Sequence, residues 1–121
     1  MKLPDTLRIM DANSIKMDSS LSFADTLGFR SGICCEFPLF DCLSKKTLSL
    51  HELPLTIMDA TLASKYSNMR EMEDIVKYYF NTAKRFFGDF VLLWHNSNFT
   101  GKYEKFSGLY QRILDIIAND K

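Results

Sequence analysis

The 121-residue chain has no long apolar run, no block of positive charge and only two histidines. No stretch approaches the roughly 18 consecutive apolar residues that a transmembrane helix requires, so we expect no membrane span. Fifteen Lys and Arg residues balance fifteen Asp and Glu residues, and no basic run exceeds the pair Lys45–Lys46. Because no basic surface is indicated, we expect no nucleic-acid partner.

The chain is also poor in cysteine, with only Cys34, Cys35 and Cys42. Two adjacent cysteines fit neither the spacing of a zinc knuckle nor an ordinary disulfide, and no later residues complete a ligand quartet. We therefore interpret all three as reduced cysteines that pack as small apolar side chains. The first residues carry charge and Pro4, which is not typical of a secretory signal, so the cytoplasm is the default location.

Hydrophobic periodicity predicts alternating helices and strands. The clearest pattern is helix 68–88, in which apolar residues recur every three or four positions from Met72 to Phe87. Gly88 is predicted to end this helix in a left-handed conformation. The predicted order is a helix from Pro4–Asp5 to Asn13, strand 14–18, an irregular segment 19–36, a short extended piece 37–40, a turn-like segment 44–49, strand 50–59, helix 68–88, strand 89–95 and a helix over about 103–118.

Strand 89–95 is apolar without alternation, which is typical of a parallel strand buried on both faces. Pro54 lies inside strand 50–59, where it removes a hydrogen-bond donor and favours an edge or bulged position. Strand–helix alternation predicts an α/β fold with a few mostly parallel strands covered by helices. The chain length suits one domain, residues 1–121.

Three predicted strands end where an apolar residue is followed by a polar one, at Met17–Asp18, Met58–Asp59 and Trp94–His95. In parallel α/β sheets, ligands bind at the carboxyl ends of the strands. Carboxylates and a histidine that converge there would suit metal binding or acid–base catalysis, since imidazole exchanges a proton near neutral pH. The alternative for His95 is a half-buried histidine that is bonded to a backbone carbonyl.

Several other polar and aromatic residues have two interpretations each. Trp94 is either a core residue or a substrate platform, and Asn96 either caps a turn or contacts a ligand. Arg30 either clamps an anion or, as we favour, forms a salt bridge that holds the long loop. We interpret His51 and Glu52 as an exposed pair within a strand.

Three segments taken together resemble one enzyme family: "PDTLRIMDANSIKMDSSLSFADTLGFRSGICCEFPLFD", "LHELPLTIMDATL" and "FVLLWHNSNF". They are similar to the C-terminal part of polysaccharide deacetylases, the NodB-homology carbohydrate esterases of bacteria. The residues that carry the resemblance are Met17-Asp18-Ser19-Ser20, the loop from Gly28 to Cys34, the strand from Leu50 to Pro54 and the Leu-x-His motif from Leu93 to His95.

The resemblance implies a fold, a reaction and a site. The fold would be a partial (β/α) barrel, and the reaction would be hydrolysis of N-acetyl groups on a surface or cell-wall glycan. Complete enzymes of this family use zinc or another divalent metal. By the same resemblance His95 would be the catalytic acid, or would orient the base. Trp94, Asn96, Arg30 and Asp18 are the candidate substrate contacts.

The metal-binding motifs of the family, Thr-Phe-Asp-Asp and His-x-x-x-His, do not occur in this chain. A catalytic zinc needs about three protein ligands, so we expect no metal site in this chain and no activity from it alone. The expected partners are an N-acetylated glycan and either an N-terminal half of the barrel or a second copy, paired through the strand 14–18 edge. The alternative is a non-catalytic glycan-binding or protein-interaction module.

Overall fold

The computed structural model describes residues 2–100 and 105–119. None of the helices in this described part combines the length and the apolar character needed to cross a membrane. The elements are α1 (Asp5–Ala12), β1 (Met17–Asp18), β2 (Phe37–Asp41), β3 (Lys46–Glu52), β4 (Leu55–Met58), α2 (Asp59–Lys65), α3 (Met69–Arg85), β5 (Val91–Leu93), a 3-10 helix (Asn96–Phe99) and α4 (Lys105–Asn119).

The strands form two small sheets. Sheet A has the order β1-β3-β2, in which β1 is parallel to β3 and β2 is antiparallel to it. Sheet B is the parallel pair β4-β5. The predicted α/β class is confirmed, but the β2-β3 hairpin is antiparallel, and the described strands do not form a closed barrel.

Two predictions were wrong between residues 44 and 59, one of a turn-like segment and one of a strand. The segment 44–49 is not a turn throughout, because the turn ends at Lys45, whose φ of 55° is left-handed, and β3 begins at Lys46. Strand 50–59 is not continuous, since β3 ends before Leu53 and β4 begins after Pro54. Proline has no N–H to donate to a neighbouring strand, and this lack divides one extended stretch between two sheets.

The first predicted strand is shorter than expected, and the strand at 89–95 is less buried. The left-handed φ of 60° at Ser14 turns the chain after α1, so β1 contains only Met17 and Asp18. β5 contains three residues, of which Val91 and Leu92 are half-buried and Leu93 is exposed. The prediction of a strand buried on both faces was therefore wrong for β5.

The predicted helix 68–88 is observed as α3, with Asn68 capping the backbone N–H of Arg70. Its predicted end was wrong: the left-handed residue is Phe87, with a φ of 53°, and not Gly88. Phe86 and Phe87 lie past the last helical turn and are exposed, although the periodicity placed them in the buried stripe. The last predicted helix is observed as α4, and its predicted positions 103 and 104 lie outside the described residues.

Each sheet covers its own apolar cluster. The larger cluster lies between sheet B and helices α2, α3 and α4, and the smaller lies between α1 and sheet A. The buried members of the larger cluster are Leu27, Ile57, Leu62, Met72, Val76, Phe106, Leu109 and Ile113. Those of the smaller are Leu7, Leu39 and Leu50. Of the three cysteines, only Cys34 is buried, so the prediction that all three pack inside was wrong for Cys35 and Cys42.

The smaller cluster is bordered by an ion pair between α1 and the end of β2. Arg8 donates through Nε and Nη2 to the two carboxylate oxygens of Asp41, at 2.6 and 3.0 Å. Asp41 also accepts the Ser44 hydroxyl and the Leu43 N–H. The guanidinium of Arg8, followed by the Ser44 hydroxyl, holds the pKa of Asp41 well below its ordinary value of 3.8.

We expect this carboxylate to make the fold sensitive to acid. Because its native pKa is lowered, the stability that Asp41 contributes is present above pH 3.8 and is lost as the pH falls below it. The urea midpoint of the native chain should therefore fall as acid is added, and that of Asp41→Asn should fall less. Parallel acid profiles of the two proteins would contradict this role.

Candidate active site

Asp59 is a buried acidic residue at the end of sheet B. It is the first residue of α2, and β4 continues into this helix without a loop. Its side chain is buried, with 1% of the residue exposed. The carboxylate accepts four hydrogen bonds, from His95 Nδ1 at 2.6 Å, the His95 backbone N–H at 2.6 Å, Asn98 Nδ2 at 2.5 Å and the Ala60 N–H at 2.7 Å. These donors lie together at the carboxyl end of sheet B, because β5 runs parallel to β4 and ends two residues before His95.

The hydrogen bonds decide the charge of Asp59. Burial by itself would raise the pKa of this carboxyl, but the bonds from His95, Asn98 and Ala60 outweigh burial and lower the pKa below its ordinary 3.8. Asp59 is therefore a carboxylate at neutral pH and can only accept hydrogen bonds. His95 must then donate through Nδ1, so Nε2 is the ring nitrogen left to exchange a proton with a ligand.

His95 faces a cleft of about 380 Å³, a volume within the range of small-molecule sites. Its imidazole is 47% exposed, so the ring meets both the cleft and the buried carboxylate. The lining combines polar and apolar residues. The polar ones are His95, Ser97 and Asn98, and the apolar ones are Ala60, Ala63 and Phe106.

The structure brings together two of the three predicted strand ends. Asp59 and His95 are in contact, whereas Asp18 lies in sheet A, where its side chain accepts the Ser20 hydroxyl at 2.6 Å. For His95, the ring nitrogen Nδ1 meets a carboxylate and not the backbone carbonyl of the alternative interpretation. The geometry thus separates Asp18 from the Asp59–His95 pair.

The other candidate contacts have different surroundings. Trp94 packs against the larger apolar cluster, and its ring centroid lies 5.2 Å from that of Tyr110. Asn96 is exposed at the start of the 3-10 helix. Arg30 does not form the predicted salt bridge among the described residues, because its Nη1 donates to the backbone carbonyl of Ser22 at 2.7 Å.

The prediction of an exposed His51–Glu52 pair was wrong. Glu52 is fully buried, and His51 instead pairs through Nδ1 with Glu36 at 2.7 Å. Consecutive residues of a strand point to opposite faces, so one of these two had to turn inward. The inward residue is the acid.

Asn98 is a site residue that the sequence did not indicate. It lies in the 3-10 helix Asn96–Phe99, which has no apolar period, and its amide reaches Asp59 across 39 positions of sequence. The available signal was weak: an amide three residues after a histidine that ends a strand.

The described residues do not fit a zinc centre built by this chain alone. No group of three or more His, Cys, Asp or Glu side chains among them is arranged to hold a metal ion. His51 and His95, the two histidines, each bond a different carboxylate. A catalytic zinc needs about three protein ligands, so no chemical step can be assigned to a metal held by these residues.

Comparisons with known proteins do not assign this site. No family model matches the chain, and no curated protein or solved structure gives a significant match. A functional proposal therefore rests on the contacts of Asp59, His95 and Asn98 and on the motifs in the sequence.

Proposed function

We propose that this chain forms the C-terminal part of a metal-dependent polysaccharide deacetylase, with His95 as the proton-transfer residue and Asp59 as the residue that positions it. The observation that carries the proposal is the buried carboxylate of Asp59 bonded to His95 Nδ1 at the carboxyl end of a parallel strand pair. The two parallel pairs, β1-β3 and β4-β5, with helices packed on sheet B, support a partial (β/α) barrel.

The dyad has the properties that amide hydrolysis requires of a general acid. When the C–N bond of an N-acetyl group breaks, the departing amine nitrogen needs a proton, and His95 Nε2 can supply it. Asp59 holds the ring through Nδ1 and stabilises the charged imidazolium. A positioned acid of this kind contributes about 10²- to 10⁴-fold to rate.

The cleft supports a sugar substrate. Ser97 and Asn98 offer hydrogen-bonding groups in the lining with His95, and Ala60, Ala63 and Phe106 offer an apolar surface for a methyl group or ring carbons. This mixture suits an N-acetylated sugar, which has both hydroxyl groups and apolar faces.

The metal would have to be held by residues outside this chain, because the family's metal-binding motifs are absent from its sequence. In a complete enzyme of the family, the chemistry supplied by that metal would be polarisation of the N-acetyl carbonyl and activation of water. The proposed partner is therefore a polypeptide that supplies the first half of the barrel, and we expect this chain alone to be inactive.

One observation favours the second candidate, a non-catalytic glycan-binding module. At the end of the 3-10 helix, Phe99 is 37% exposed and packs edge-on against Tyr110, which in turn contacts Trp94. Aromatic faces bind the C–H faces of sugars without any metal.

We expect an N-acetylglucosamine oligomer to bind weakly in the cleft. Titration at millimolar concentration should shift the NMR signals of Ala60, His95 and Asn98, and His95→Ala should weaken binding by about tenfold, which corresponds to 1.4 kcal/mol. In the binding-module alternative, Phe99→Ala abolishes binding and His95→Ala leaves it unchanged.

Acetate release provides the second measurement. The chain alone with added zinc should release no acetate from the oligomer. Rapid release would show that the chain holds its own metal, and an absence of shifts around His95 would contradict the proposed site.

A further inference from the structure

A second pair of side chains, Asp18 and Glu52, lies at the β1 edge of sheet A. The two residues are register partners in the parallel β1-β3 pairing, and Asp18 is near enough to act on the carboxyl group of Glu52. Glu52 is fully buried and Asp18 is half-buried. Oε1 of Glu52 accepts the Leu21 N–H at 3.0 Å, but the buried Oε2 has no donor among the described residues.

This arrangement is not stable with two negative charges. Two neighbouring carboxylates repel each other, and a buried oxygen without a donor loses its hydration. A single proton on Glu52 removes both problems, because a protonated carboxyl can donate to Asp18. Burial raises the pKa of Glu52 from 4.5 to about 7; the Leu21 N–H opposes burial only in part, and the neighbouring Asp18 adds a smaller rise.

We propose that Asp18 and Glu52 share one proton and that this proton clasps β1 to β3, so that the β1 edge of sheet A opens more easily as the pH rises to neutrality. The proposal is independent of the reaction at His95.

The shared proton matters because β1 is a very short strand at the edge of sheet A. The strand has only two residues, and the backbone bonds that flank them are His51 N–H to Lys16 O at 2.9 Å and Leu53 N–H to Asp18 O at 2.8 Å. Opening of β1 would free the N–H of His51 in β3 and that of Leu53 just after it, and this exposed edge could then pair with a further strand.

The acidic residues that attach α1 to sheet A do not respond to a rise to neutral pH as Glu52 does. Asp18 is the charged group among the described residues that acts on Glu52. The α1 anchors are Asp11, which accepts from Ser49, and Asp41, which accepts from Arg8, and hydrogen bonds lower the pKa of both. These two stay ionised at neutral pH, so α1 remains attached while β1 is released.

Amide hydrogen exchange of His51 and Leu53 tests the clasp in the intact chain. Glu52 has a raised native pKa, so its proton stabilises the closed edge fully below pH 4.5, and that contribution is lost as the pH rises to about 7. After correction for intrinsic exchange, protection of both amides should fall by up to about tenfold per pH unit in this window and then level off. Met72, whose N–H bonds to Asn68 O in α3, serves as the control amide.

Two variants complete the test. In Glu52→Gln the side-chain amide donates to Asp18 at every pH, so protection of Leu53 should be independent of pH. In Asp18→Asn the amide donates to Glu52, and the carboxyl ¹³C titration of Glu52 should move to lower pH; this variant serves if Glu52→Gln does not fold. A flat profile in the native chain overturns the proposal. So does restoration of protection at high pH by added Na⁺ or Ca²⁺, because a cation would then occupy the place of the proton.

Discussion

Replacing Asp59 with alanine is expected to destabilise the fold by about 3 kcal/mol, because several buried donors lose a charged acceptor at once. The side chain is 1% exposed and joins the start of α2 to the residues that follow β5. After truncation, the His95 N–H and the Asn98 amide keep their positions but have no partner. Urea unfolding measures the loss, with Asp25→Ala at an exposed position as the control.

Asp59→Asn separates the structural role from the positioning role. Asparagine has almost the same shape, but its NH₂ group would face donors on His95 or Asn98, so the loss should be about 2 kcal/mol. When the NH₂ group takes the place of Oδ1, the imidazole should also change its tautomer, because Nδ1 then accepts a hydrogen bond. Ring ¹⁵N chemical shifts of His95 report that change. An unchanged tautomer would mean that Asp59 does not set which nitrogen faces the cleft.

The second large effect is expected at Gly88, where a single methyl group has no room. A Cβ at this position would lie 2.3 Å from Cys34 Sγ and 2.7 Å from Cys34 O. The carbonyl cannot move freely, since it accepts the Asp89 N–H at 2.6 Å. We expect Gly88→Ala to destabilise the fold by about 3 kcal/mol, as overpacking of a buried contact does.

Thermal unfolding of four variants, Gly88→Ala, Cys34→Ala, their double variant and Gly108→Ala, checks this explanation. Cys34→Ala removes the sulfur but not the carbonyl, so the double variant with Gly88→Ala should recover only part of the loss. Gly108→Ala is the matched control, because it lies in α4 with open space around it and should stabilise the fold by up to about 1 kcal/mol. Equal effects at Gly88 and Gly108 would contradict the steric account.

The sequence predicted those elements whose apolar period is long. The helices α3 and α4 repeat apolar residues every three or four positions over several turns, and the structure confirms both. The first part of β3, residues 46–49, was predicted as a turn because it begins with Lys46 and Thr47, whose composition is typical of a turn. The burial of Glu52 was nevertheless readable, since Leu50 and Glu52 are two positions apart and share a face of the strand.

The site was predicted in part for a different reason. Asp59 and His95 could each be recognised at the end of a strand, but their contact depends on the pairing of β4 with β5 over 36 positions of sequence. Local patterns do not encode such a register. Asn98 lies in a single turn of 3-10 helix, too short for any period to appear.

The direct passage from Met58 in β4 to Asp59 in α2 limits how the chain can change length. With no connecting loop, one added residue here would rotate the carboxylate by half a strand repeat and remove it from His95. Insertions and deletions should therefore be tolerated at the β2-β3 turn, residues 42–45, and be selected against at this junction. The position of the Asp59 carboxylate therefore depends on the exact number of residues at this junction as well as on its hydrogen bonds.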